Sequence, residues 1–228
     1  MIVYGRNPVR EALRGPREVA RVWATKNAAR EPWLSGVLLD VASAEEIQER
    51  CGASAHQGIC AETGPFRYAD AEVLLALEAP LIVALDQVQD PQNLGSICRT
   101  AECAGASGVV LPERRAATVT PAVCKASAGA VEHLAVAHVG NLADFLVAAK
   151  KGGLWCYGAE AGAATPYDSV DYSGGVVLVL GSEGRGLRPR VASSCDALVS
   201  VPIRGQIESL SVGAAAAALL YAAAARRA

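Results

Sequence analysis

Three short stretches of the 228-residue chain carry residue types that could do chemistry together. The first, QDPQNLGSICRTAECAG at 89–105, sets Asn93 at the mouth of a small-residue helix and Arg99 in its early turns. A guanidinium without a partner is costly to bury, so Arg99 must face water, pair with an acid, or meet an anion that comes with a ligand. The second, GSEGRGL at 181–187, holds Glu183 among glycines that let a backbone approach a ligand closely or adopt positive φ. Its spacing is GxxGxG, unlike the dinucleotide fingerprint, and no phosphate-binding Walker motif occurs in the chain. The third, VSVPIRGQIESLSVGAAAAALL at 199–220, places Ser209 or Ser211 where a helix N-cap is expected. The amide groups such a hydroxyl satisfies can also hold a ligand anion.

The elements that must position these residues follow from the apolar pattern. LIVALD (81–86), GVVLP (108–112) and VVLVLG (176–181) are continuous apolar runs, as expected of parallel strands covered on both faces. Further strand-like pieces at 133–139, 154–161 and 197–203 alternate with helical segments at 92–105, 120–130 and 142–151 and an Ala-rich C-terminal helix. The expected architecture is α/β with a mostly parallel sheet. Ligands of such sheets gather at the carboxyl ends of strands, which singles out the loops after 86, 181 and 203. On the 92–105 helix, Ile97, Thr100, Ala101 and Ala104 share one face; Ser96, Arg99 and Cys103 point away from it.

Residues 1–66 form a separate small α/β unit, with a helix starting near Asn7-Pro8 and stopping at Gly15, short apolar pieces at 19–24, 37–41 and 56–61, and a charged helix at 43–50. The Gly/Pro-containing stretch 63–71 marks the boundary, with 67–79 as a linker and 80–228 as the second domain.

Composition bounds the function. With 52% hydrophobic and 19% charged residues the chain is an ordinary globular protein. The longest apolar run, 212–225, falls short of the roughly 20 residues of a membrane span, and MIVYGRNPVREAL is no export signal, so a cytoplasmic protein is expected. Seven scattered cysteines without a CxxC pair, and three histidines far from ligand spacing, indicate reduced thiols and no metal. The net charge is −2, yet residues 1–35 hold seven basic residues against three acids, and the remainder sums to −6. A basic front end permits nucleic-acid contact; solvated arginines on an amphipathic helix would produce the same count.

In their order and company, NLGSICRTAECAG, VLGSEGRGL and SVPIRGQIESLSVGAA resemble the three motifs of the SpoU family of RNA ribose 2′-O-methyltransferases, within the SPOUT class. YGRNPVREAL and AHQGICA resemble the signatures of that family's substrate-binding domain, which is similar to ribosomal protein L30e. The resemblance covers almost the whole chain, and the arrangement looks most like the branch that methylates a guanosine ribose of 23S rRNA. It implies a C-terminal trefoil knot, S-adenosylmethionine as cofactor, RNA as substrate and a homodimer. It further implies cofactor contacts at Leu180, Gly181, Gly184, Val201, Ile203, Gly205 and Leu210, and catalytic roles for Arg99 with Asn93, Glu183, Ser209 and Ser211. RNA contacts would fall on Arg6, Asn7, Arg10, His56 and Gln57. A guanidinium resists deprotonation, so Arg99 suits holding an RNA phosphate and stabilising the emerging alkoxide better than acting as a base. One position departs from the pattern: Ser211 stands where the family usually has Asn. A transfer-RNA methyltransferase and a non-catalytic RNA-binding member are the alternatives within the family. A nicotinamide-dependent oxidoreductase lacks the required glycines and acid.

Overall fold

The computed structural model describes residues 1–207 and 209–227, and in it the chain builds two sheets. The first contains β1 (Ile2–Tyr4), β2 (Val19–Ala24), β3 (Asp40–Val41) and β4 (Ile59–Thr63) in the order β1-β4-β2-β3. Its helices are α1 (Arg6–Arg14) and α2 (Ala44–Cys51). The charged segment at 43–50 becomes helical because its ends are marked: the Ser43 hydroxyl accepts from the Glu46 amide at 3.2 Å, and the Glu46 carboxylate accepts from the Ser43 amide at 2.7 Å. Left-handed Gly52 then ends it.

The second sheet is parallel throughout. It runs β7-β6-β5-β10-β8-β11-β9, built from β5 (Leu81–Asp86), β6 (Gly108–Pro112), β7 (Ala135–Val139), β8 (Trp155–Ala159), β9 (Thr165–Pro166), β10 (Val176–Gly181) and β11 (Ala197–Ser200). Leu81, Val83 and Leu85 of β5 bury one face under α4 (Pro91–Cys103), α5 (Pro121–Ala126) and α8 (Val212–Ala225). Ile82 and Ala84 bury the other beneath α3 (Ala71–Leu75), α6 (Leu142–Lys151) and α7 (Pro189–Ala192). This is the two-sided burial that the continuous apolar runs predict.

Three regions differ from the simple reading of the chain. Segment 67–79 is packed: the Ala69 amide donates to the Val136 carbonyl at 2.8 Å, the Tyr68 ring stacks on His138, and Leu74 is buried against Gly108. The helix expected over 120–130 stops at Ala126, because Ala128 and Gly129 both take positive φ, and a short 3-10 turn follows at 130–132. The two-residue strand β9 and the four-residue helix α7 are too short to leave a periodic signal.

One apolar core joins both units, running from Val3, Val9 and Ala12 to Leu94, Ile97, Val123 and Val131. A buried pair reinforces it: Arg17 Nε donates to Glu132 Oε2 at 2.8 Å, while Glu11 meets His133 at 2.9 Å nearer the surface. Burial pushes the Cys98 thiol up to about 12 and the Cys124 thiol up to about 11. Among the described residues, no helix is long and apolar enough to cross a membrane, and no group of His, Cys, Asp or Glu is placed to hold a metal ion.

Candidate active site

The carboxyl ends of β5 and β10 lie side by side, with Asp86 paired to Gly181 in the register. Asp86 is fully buried, and it survives there because Arg188 surrounds it: the Arg188 backbone amide donates at 2.8 Å, and Nε and Nη2 each stand at 2.7 Å. This clasp pulls the turn after β10 back onto β5. Inside the turn, Ser182 bridges to Gly186, and Gly184 and Gly186 take φ of +77° and +64°. A Cβ on Gly181 would lie 2.1 Å from the carbonyl carbon of Gly186, so only glycine permits the chain to fold back this tightly.

Two clefts open at the carboxyl ends of the strands, one of them walled by this turn. One, of about 310 Å³, is walled by Gln87, Val88, Gln89, Asp90 and Asn93 on one side and Ser182, Glu183, Arg185 and Val212 on the other. Asp90 caps α4 by accepting from the Gln92 amide at 2.9 Å, Pro91 begins the helix, and Asn93 is thereby set in its first turn. The Glu183 carboxylate accepts from the Val212 amide at 3.4 Å, tying the turn to the start of α8. The second cleft, of about 100 Å³, is mostly apolar and is lined by Ala159, Val199, Val201, Ile203, Leu210 and Ala215, with Ser209 and Glu160 in its wall. Apolar walls with few polar groups suit a flat aromatic ring, and a carboxylate there can accept from sugar hydroxyls.

The structure therefore brings Asn93 and Glu183 to one cleft, and Val201, Ile203, Ser209 and Leu210 to the other. Leu180 is buried in the core, Gly181 is the crossing point, Gly184 is exposed beside Glu183, and Gly205 is exposed with open space around it. Ser211 is the N-cap of α8, its hydroxyl accepting from the Ala214 amide at 3.3 Å. Arg99 stands exposed on α4, lines neither cleft, and has no hydrogen-bond or ion-pair partner among the described residues. Helix α4 packs closely on α8: a Cβ on Gly213 would meet the Ser96 hydroxyl at 2.8 Å. Sequence reasoning missed Gln87, Arg185 and Glu160 as lining residues and Arg188 as the partner of Asp86. The one signal was a lone acid closing an apolar strand.

Of the residues expected to touch RNA, Arg6 and Gln57 meet at the start of α1, where the Gln57 side-chain oxygen accepts from the Arg6 amide at 2.9 Å. Arg6 also pairs with Glu31 at 2.7 Å, Arg10 turns to Glu11 at 3.0 Å, and Asn7 is exposed. His56 is buried, its Nδ1 accepting from the Gly58 amide at 3.0 Å.

Residues 80–221 match the SpoU rRNA Methylase family, and residues 2–69 match the RNA 2′-O ribose methyltransferase substrate-binding family. YacO of Bacillus subtilis (strain 168), assigned to the TrmH family of tRNA/rRNA methyltransferases, is 36% identical over 231 residues, covering 96% of this chain and 93% of its own. The SpoU methyltransferase AviRb from Streptomyces viridochromogenes, solved in complex with AdoMet, superposes with a TM-score of 0.83 at 25% identity, over 99% of this chain and 89% of that one. The AdoMet-bound rRNA methyltransferase from Sinorhizobium meliloti gives a TM-score of 0.79 at 28% identity, over 97% and 85% of the two chains. Matched along both of its units, the chain belongs to the SpoU family and is an S-adenosylmethionine-dependent RNA 2′-O-methyltransferase.

Proposed function

We propose that this enzyme methylates the ribose 2′-hydroxyl of a guanosine in 23S rRNA, in the cytoplasm, as a homodimer whose C-terminal part is a trefoil knot. The observation that carries the site assignment is one loop serving two clefts. Val201, Ile203 and Leu210 wall the apolar cleft, while the residue that follows the Ser211 cap, Val212, binds Glu183 in the polar one. The apolar cleft holds the adenine of the cofactor, with Leu180, Gly181, Gly184 and Gly205 shaping the backbone around it. When bound, the cofactor supplies an electrophilic methyl group.

The tasks left to this chain are alignment, exclusion of water and handling of the hydroxyl proton. Asn93 donates its amide to the ribose, Ser209 orients it, and Ser211 acts through the helix start that it caps. Arg99 grips an RNA phosphate and stabilises the alkoxide as it forms, with Glu183 orienting the guanidinium. Within one chain Arg99 lines neither cleft, so the homodimer supplies it from a second copy. Exposed Ile207 and Tyr221, which line neither cleft, support such a covered face. The knot is supported by the insertion of β11 between β8 and the earlier β9, after β10 has formed on the far side of β8. Arg6, Asn7, Arg10, His56 and Gln57, in the unit that matches the substrate-binding family, hold the RNA.

The test is transfer of labelled methyl groups from S-adenosylmethionine into ribosomal and transfer RNA, with mapping of the modified nucleotide. The expected result is one guanosine of 23S rRNA. Arg99→Ala is expected to keep its cofactor affinity while losing a factor of about 10²–10³ in turnover, the scale of a lost oxyanion partner. Label in transfer RNA alone would refute the target, and equal loss of binding and turnover would refute the role of Arg99.

A further inference from the structure

Two residues other than glycine take a left-handed backbone beside the polar cleft: Gln87, in its wall, at φ 63°, and Arg115, next to it, at φ 60°. A residue with a Cβ holds this conformation only under strain, so its surroundings must fix it. For Arg115 they do. Its carbonyl accepts from the Gln89 side-chain amide at 3.4 Å, and two residues on, the Ala117 amide donates to the Val88 carbonyl at 2.9 Å. The Val119 amide then donates to the Tyr68 hydroxyl at 2.9 Å, and the Tyr68 ring is stacked on His138. Loop 113–119 is thus pinned on one side to the turn that walls the cleft, and on the other to the segment that joins the two units.

This pinned loop displays Arg114 and Arg115, both exposed and neither ion-paired among the described residues. Arg6, Arg17, Arg21, Arg188 and Arg190 have carboxylate partners, whereas Arg185 in the wall of the same cleft, like Arg114 and Arg115, has none among the described residues. Two adjacent guanidiniums repel each other and give the fold nothing, whereas each offers a planar fork that matches a phosphate. We propose that Arg115, with Arg114 beside it, binds a backbone phosphate of the substrate RNA at the rim of the polar cleft. The methyltransferase unit then grips the RNA near the reacting ribose, in addition to the hold of the N-terminal unit. This rests on the reading of the polar cleft as the place where RNA is methylated.

The test measures binding of a short single-stranded RNA of mixed sequence, and of total ribosomal RNA, across a salt series, alongside cofactor affinity and the KM for RNA. Arg115→Gly removes the guanidinium while leaving the left-handed backbone free of strain, and Arg115→Ala removes it but keeps the strain. Both are expected to bind RNA about tenfold more weakly, with a salt slope shallower by about 0.7–0.9 and KM raised in step, at unchanged cofactor affinity. Wild-type affinity and slope in Arg115→Gly would overturn the proposal, as would a loss confined to Arg115→Ala, which would mark the backbone conformation as what matters. A wild-type protein that binds RNA but methylates none would instead overturn the reading of the cleft, and this proposal with it.

Discussion

Gly181→Ala is the most direct test of the turn that walls the polar cleft. Three backbone atoms crowd the place a Cβ would take: the Gly186 carbon at 2.1 Å, its oxygen at 2.2 Å and the Leu187 nitrogen at 2.5 Å. None belongs to a flexible side chain. Reaching the 3.0 Å that real Cβ atoms respect requires segment 186–187 to withdraw by about 0.9 Å. That movement is resisted from both ends, by the Ser182–Gly186 bridge and by the grip of Asp86 on Arg188. Forcing one extra methyl into so tight a site costs about 1–3 kcal/mol of stability. The functional effect should be larger, because a displacement near 1 Å in a positioning element lowers turnover by about 10²-fold. Urea unfolding reads the first effect, and single-turnover methyl transfer reads the second. Wild-type stability together with wild-type turnover would show that the crossing at Gly181 does not shape the site.

Two further outcomes follow from particular contacts. Arg17→Ala strands the buried Glu132 carboxylate and should cost about 3–5 kcal/mol, whereas the double change Arg17→Met with Glu132→Leu should recover most of it; denaturation midpoints of the three proteins check this. Ser211→Ala removes the cap of α8 and should lower stability by about 1 kcal/mol, while Ser211→Asn, an equally good cap, should hold within a few tenths; equal losses in thermal unfolding would refute the capping role.

The parts of the fold legible in the sequence are those whose burial is complete. β5, β6 and β10 read almost to the residue because a strand covered on both faces must be apolar at every position. β1 and β9, three and two residues long, owe their existence to pairing partners distant in the chain, and no local pattern announces them. The same holds for side chains. Asn93 and Glu183 are found because they follow strands whose carboxyl ends the parallel sheet brings together, whereas Val201 and Leu210 follow only from the resemblance to the SpoU motifs. Arg17 and Glu132 are 115 positions apart, and neither neighbourhood hints at the other. The position of Arg99 is legible as exposed, but its lack of a partner among the described residues emerges only from the coordinates.

The continuous apolar core from Val3 and Val9 to Val123 and Val131 makes the molecule a caliper rather than a hinge. Opening an angle between its two jaws would wet side chains that are now dry and would strand Arg17 and Glu132 in mid-opening. A ligand that touches both units therefore meets them at a fixed separation.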